Sequence, residues 1–452
     1  MKQTVLTLSL ILLAFGATAQ RPMTLKECIR IALSDSKELQ MADTKIAEAH
    51  ETALSIRGHF LPQVNGSGIV GWNSSNGTLL DLPKFNIDIP LTSSSIPIDF
   101  PGYDIDYRVG GIYYAGITVQ QPIYMGGRIA SGYRMAQIGE NVAQERRELT
   151  ESEVVYQTCQ AYFLLLKAQR LDSVATTALT AADEMMRAVG AAGEYGMAQR
   201  TDMKKVELAR GELQLSALQA KNGVRLAQRN LCVQMGVRTE DIVAISVPYG
   251  FFLQNEIPAV SVADRPEYRM QDAQVDLYRE KLTTARSEML PQVGLQGGYG
   301  YLYGLHVSDN TIFDGGSVTL LASIKIPLWQ SGVACHNMEA AKVALHQSEL
   351  ERSLMADRMA LEQLQAQNLY DEAQLKHDLS IFSLSLAEDS LTLTQKQYKV
   401  GQTTLADLLR VQAQLQKKQE EEVEAMCDVY LARLRLMKAA GRLMEAFDVD
   451  SM

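Results

Sequence analysis

Apolar residues Val318, Leu320, Ala322, Ile324 and Ile326 alternate with a polar set containing Thr319, Ser323 and Lys325. That period of two predicts a strand with one apolar face. Beyond Pro327-Leu328-Trp329-Gln330-Ser331-Gly332 the period changes. Val343, Leu350, Leu354, Leu361 and Leu364 recur at helical spacing, and the pattern continues for roughly 60 residues. Proline ends a strand ladder, and glycine relaxes the backbone where the helix begins. The same junction occurs earlier, where Ile117-Thr118-Val119-Gln120 runs into Gln121-Pro122-Ile123-Tyr124-Met125-Gly126-Gly127. Pro122 and Pro327 stand 205 residues apart. A chain that passes twice from an amphipathic strand into a very long helix is a duplicated object.

Taken in order, Thr24-Leu25-Lys26-Glu27 predicts a capping box, and Leu25, Cys28, Ile29, Ala32 and Leu33 give one apolar helical face. A second helix continues to about Gly58. A strand is expected near 62–72, a long loop over the Asn-, Ser-, Pro- and Asp-rich residues 73–108, and a second strand near 111–123. From Gly127 a helix runs to about Val189, a rod of about 90 Å at 1.5 Å per residue. It breaks at Gly190–Gly196 and resumes from about Thr201 to Gly236. Residues 237–263, with Pro248, Pro258 and Phe251-Phe252, read as a linker. The series then repeats, with strands near 292–303 and 317–328, a loop near 304–315 between them, and a helical hairpin over 332–442.

The expected organisation is a signal peptide at 1–19, a first repeat at 20–236, the linker, and a second repeat at 264–452. Leu61-Pro62-Gln63-Val64 matches Leu290-Pro291-Gln292-Val293 at an offset of 229, whereas everything after the second strand matches at 205. The difference, 229 − 205 = 24 residues, falls in the first loop. Gly196 pairs with Gly401, Asp202 with Asp407, and Leu231 with Leu436. Long helices packed side by side lose register on insertion, and loops do not. In the last long helix, Val423, Cys427, Tyr430, Leu434 and Met437 step by four and three, the seam of a coiled coil.

Composition narrows the functions. The net charge is −10 with no Lys/Arg-rich block, which argues against nucleic acid. Lys2, the apolar run from Val5 to Phe15 and Ala17-Thr18-Ala19 read as a secretory signal. The five cysteines are odd in number and scattered, so they read as small buried hydrophobes, unpaired. The six histidines show no ligand spacing, and no metal, cofactor or catalytic group is expected. No stretch after the signal is apolar for long enough to span a bilayer as a helix, so a membrane crossing requires a closed β-barrel. Four strands cannot close one. The chain must pool strands with copies of itself, giving eight in a dimer or twelve in a trimer. Trp72, Tyr113, Tyr114, Tyr124 and Trp329 fall at predicted strand ends, where an interfacial girdle would sit.

The Thr24–Ile29 start, the two Leu-Pro-Gln-Val strands, the two strand–helix junctions and the tip Tyr398-Lys399-Val400-Gly401-Gln402-Thr403-Thr404-Leu405-Ala406-Asp407-Leu408-Leu409 together resemble the TolC-like outer-membrane efflux proteins. The resemblance covers nearly all of the mature chain. It implies a mainly α fold with a β-barrel portion: a trimeric twelve-stranded outer-membrane barrel, four strands per chain, continued by a long periplasmic α-helical barrel. It also implies a passive channel of a Gram-negative bacterium serving efflux or type I secretion. Its partners would be outer-membrane lipid, a periplasmic adaptor (membrane fusion) protein and an inner-membrane transporter of RND or ABC type. The adaptor would meet the tips at Gly196, Val400, Gly401 and Thr404. Asp407 occupies the position where such proteins carry an acidic constriction, and its repeat-mate is Asp202. Arg410 stands one turn on, where a second acid is common, so Asp407 either lines an acidic ring or bridges locally to Arg410. The reading from another class is a structural or adhesive coiled-coil stalk at the cell surface.

Overall fold

A computed structural model describes residues 23–72, 74, 76–91, 94–194, 200–238, 245, 261–307 and 310–447. The signal peptide, Gly196, most of the 237–263 linker and the last five residues lie outside them. The chain divides into two units: Met1–Ala47, Asn141–Ala273 and Glu349–Met452 form one, and Glu48–Glu140 with Gln274–Ser348 form the other.

The helices repeat more strictly than the sequence suggested. After α1 (Leu25–Asp35) and α2 (Lys37–Gly58) come α3 (Arg128–Glu194), α4 (Arg200–Gln234), α5 (Pro266–Ser287), α6 (Val333–Lys399), α7 (Leu405–Ala439) and the short α8 (Leu443–Ala446). Helices α2 and α5 are both 22 residues long, α3 and α6 both 67, and α4 and α7 both 35. The ends of α3 and α6, and of α4 and α7, coincide at the 205-residue offset. Helix α3 runs on to Glu194, through Gly190 and Gly193 of the stretch expected to break it, because isolated glycines weaken a helix without stopping it. Each strand–helix junction needs two consecutive residues at positive φ: Gly126 (63°) and Gly127 (88°), then Ser331 (51°) and Gly332 (83°). Ser331 adopts there a backbone that its repeat-mate takes as glycine.

In the helical unit the core forms where α1, α3, α4, α7 and α8 meet. Cys28 and Ile29 of α1, Tyr162, Phe163 and Leu165 of α3, Leu231 of α4, Leu434 of α7 and Leu443 of α8 are buried together. The Phe163 ring stacks on Tyr430 at 4.7 Å with 5° between planes. The capping box expected at Thr24 is formed. Glu27 N–H donates to Thr24 Oγ1 at 3.3 Å, and Thr24 N–H donates to Glu27 Oε2 at 2.7 Å. All five residues of the α7 seam, Val423 to Met437, are buried. The α6 stripe behaves differently: Val343, Leu350, Leu354, Leu361 and Leu364 stay 47–63% exposed within one chain. Four cysteines are buried and in no disulfide, and burial pushes the Cys28 thiol up to about 12. Cys335 is in no disulfide but is exposed, so the reading of the thiols as buried residues fails there, on the first turn of α6.

The other unit carries the sheet. Strands β1 (Gln63–Trp72), β5 (Tyr103–Met125), β6 (Gln292–Val307) and β7 (Asn310–Lys325) pair antiparallel in the order β1-β5-β6-β7, and β2 (Asn76–Leu82) extends the β1 side along β5. Among the described residues, strands β3 (Phe85–Leu91) and β4 (Ser94–Phe100) pair only with each other.

The loop expected over 73–108 is therefore largely strand. Pro90 and Pro97 obscured it, yet both are tolerated in a two-stranded ribbon where each strand has a free edge. The loop near 304–315 is likewise taken up by β6 and β7, whose Gly315 and Gly316 stay in the ladder. Pro122 does not end β5, because the register shifts between Pro122 and Tyr124 and so absorbs the missing donor. At the second junction β7 stops at Lys325, two residues before Pro327, so Ile326 lies beyond the strand. Tyr113 and Tyr114 consequently sit within β5 and not at its end, although they pair with Val70 and Ile69 near the end of β1.

Candidate functional site

Two regions carry the polar chemistry expected of a conduit. The first is the α6–α7 tip in the helical unit. Helix α6 ends in a Schellman stop: Gly401 at φ 76° donates to Tyr398 O at 3.0 Å, and Gln402 N–H donates to Gln397 O at 2.9 Å. Three residues after Gly401, Thr404 caps α7 by accepting from Asp407 N–H at 3.1 Å. Val400 and Thr404 are exposed. Beneath the tip, Val189 and Val206 of the first hairpin are buried with Leu405 of the second.

Asp407 is committed to its own turn. Its carboxylate accepts from Thr404 Oγ1 at 2.6 Å, from Thr403 Oγ1 at 3.4 Å and from Arg410 Nη2 at 2.7 Å. The Thr404 hydroxyl first, and the Arg410 guanidinium after it, hold the Asp407 carboxyl below the usual carboxylate range. The local bridge between Asp407 and Arg410 is formed within the chain. The same device occurs in the first repeat, where Lys205 Nζ lies 3.3 Å from Asp202 Oδ1. Lys205 and Arg410 are themselves repeat-mates at 205. Spacing offered the Asp407–Arg410 bridge at the second tip, and the matching Asp202-x-x-Lys205 at the first went unread. Each tip thus presents an acid–base couple and not a bare acid.

A depressed folded value means that ionised Asp407 favours the capped tip above the unfolded carboxyl value, about 3.9, and that this contribution is lost as pH falls through the folded value. Amide exchange protection at Asp407 and Leu408, corrected for intrinsic rates, should stay flat from pH 7 to about 4 and fall below it. Loss of protection near pH 6 would contradict the assignment.

The second region is one face of the sheet. Residues directly opposite in an antiparallel pair share a face. The register sets Gln63 opposite Gln120 and Gln120 opposite Gln296, then Asn65 opposite Thr118, Gly298 opposite Thr319, Gly294 opposite Ser323 and Gln292 opposite Lys325. Over these positions the face is polar except for Leu321, which lies opposite Gln296, and Thr319, Ser323 and Lys325 lie on it as their alternation predicted. The opposite face of β7 carries Val318, Leu320, Ala322 and Ile324, with Val318 82% and Leu320 83% exposed in the single chain.

A family model described as outer membrane efflux protein matches residues 28–237 and 259–442. Among curated proteins, the outer membrane efflux protein BepC of Brucella suis biovar 1 is 22% identical over 339 residues, 75% of this chain and 74% of that one. The alkaline protease secretion protein AprF of Pseudomonas aeruginosa is 24% identical over 348 residues, 74% of this chain and 70% of its own length. Among solved structures, CusC, described in connection with transmembrane channel formation, superposes with a TM-score of 0.75 at 16% identity, covering 92% of this chain and 91% of that one.

Proposed function

The chain belongs to the outer membrane efflux protein family and is an outer-membrane channel protein with a periplasmic extension, and from that premise we propose that three copies close one barrel and pass solutes delivered by an inner-membrane pump. The observation that carries this reading is the open β1-β5-β6-β7 sheet. One face is apolar and the other polar, and β1 and β7 have no further partner strand among the described residues. Unpaired ladders are not tolerated in hydrocarbon, so β7 of one copy pairs with β1 of the next. Three copies contribute twelve strands, enough to leave a lumen that eight would fill with side chains. The exposed α6 stripe supports the same conclusion, because an apolar seam of that length needs a neighbouring helix. These features do not favour an adhesive stalk, which needs no sheet with an apolar girdle and a polar interior.

In this proposal residues 1–19 are removed on export, and the repeats 20–236 and 264–452 are joined by the 237–263 linker. Gly196, Val400, Gly401 and Thr404 belong to the tips that receive a periplasmic adaptor, backed by a transporter of RND or ABC type. The Asp407–Arg410 couple lines the entrance, and Asp202 with Lys205 faces outward.

Detergent-purified protein should behave as a particle of three chains and form discrete channels in planar bilayers. A monomer that conducts nothing would end the reading. Asp407→Ala should weaken block by multivalent cations. Arg410→Ala should strengthen it by unmasking three carboxylates, because like charges held close draw cations. Equal responses from the two variants would mean that the couple lies away from the ion path.

A further inference from the structure

On the polar face of the sheet, where β5 passes into α3, an open cavity of about 720 Å³ is lined by His59, Arg128 and Lys325 together with Gln63, Gln120, Gln292 and Gln296. None of its lining residues is Asp or Glu. The four strand segments 63–72, 111–125, 292–303 and 315–325 also contain no carboxylate, and Lys325 is their one formal charge. In a chain of net charge −10 this concentration of cationic and amide groups is local and one-sided. Elsewhere in the chain, Arg134 is neutralised by Glu280 at 2.7 Å and Arg410 by Asp407 at 2.7 Å. Arg128 and Lys325 have no ion-pair partner among the described residues, and both are exposed to the cavity they line.

We propose that this cavity is a subsite for the anionic group of a permeating solute, a carboxylate, sulfate or phosphate. Arg128 offers a planar fork of donors that matches a carboxylate or phosphate edge, and Lys325 offers a mobile point charge opposite Gln292. The glutamine amides replace hydration without adding charge, so an anion is held loosely enough to leave. Residues of α2, β1, β5, α3, β6 and β7 all contribute, so the wall is a built concave surface and not the end of one helix. The inference rests on the polar face being the lumen wall. Three copies would then place six such cations around one cross-section, where a low-dielectric wall focuses their field on passing anions.

The test uses the full mature protein in planar bilayers of neutral phosphatidylcholine, with citrate as the probe. Neutral lipid leaves the soluble anion as the tested source. Under a potassium chloride gradient the wild-type reversal potential should lie on the chloride side, and citrate should lower the conductance. Arg128→Gln with Lys325→Gln should raise the half-blocking citrate concentration about tenfold, a change of about 1.4 kcal/mol. Lys325→Glu alone should move the reversal potential toward potassium. Arg128→Lys with Lys325→Arg, which keeps both charges, should retain the block. Open wild-type channels that ignore citrate, or that prefer potassium, overturn the subsite while leaving the channel intact. Absence of any conductance would instead strike at the channel reading, and the wild-type measurements decide the matter even where a variant fails to insert.

Discussion

Phe163→Ala should destabilise the helical unit by about 3–5 kcal/mol, the cost of removing a fully buried aromatic whose site cannot collapse. Phe163 has no exposed surface. One face of its ring stacks on Tyr430, the Tyr162 ring meets it edge-on at 6.0 Å, and its carbonyl accepts from the Cys427 thiol at 3.9 Å. These contacts join α3 of the first repeat to α7 of the second, so no single helix can shift to fill the hole. Thermal or urea unfolding of detergent-purified protein, followed by helical signal, should show the loss. Arg170→Ala, on the exposed side of the same helix, should stay within about 0.5 kcal/mol. A Phe163→Ala protein that unfolds with the wild type would remove the stacked pair from the centre of this core.

The second large effect is expected on the sheet. Leu320→Arg places a charge on the apolar face, and near mid-membrane this should cost about 2–4 kcal/mol of folding free energy in lipid vesicles. Thr319→Arg, one residue away, is on the polar side opposite Gly298, at an exposed position. It should fold normally and change single-channel conductance. The two substitutions are chemically alike and differ only in the face on which they land. Equal folding defects would therefore mean that the sheet is wound the other way.

The parts legible from sequence were those governed by period and offset. The α7 seam from Val423 to Met437 was visible as alternating steps of four and three, and every one of its residues is buried. The four barrel strands and both helical hairpins followed from the same patterns. What escaped was structure that violates a local preference because something else compensates. Pro97 sits in a strand because that strand has a free edge, and Pro122 sits inside β5 because the register slips beside it. Ser331 takes a glycine conformation because the junction fixes it. At the tips, Asp407 was legible as a candidate but its state was not. Whether a carboxylate three residues from an arginine is free depends on rotamers, and here Thr404 and Arg410 both claim it. The cationic cavity was missed for another reason. Arg128, His59 and Lys325 are far apart in the chain, and only the strand register brings them to one wall.

The matched helices, 67 with 67 residues and 35 with 35, make length a shared variable in this chain. Seven residues added to α3 alone would carry Val189 about 10 Å past its present level. It would then leave Leu405, with which it is buried at the tip, while α6 still delivered Leu405 to the old position. A single insertion is thus a misfit, because α4, which brings Val206 to the same cluster, and the hairpin of the other repeat must change length with it. Lineages of this chain can lengthen or shorten only by paired steps, as a ladder stays level only when both rails are cut alike.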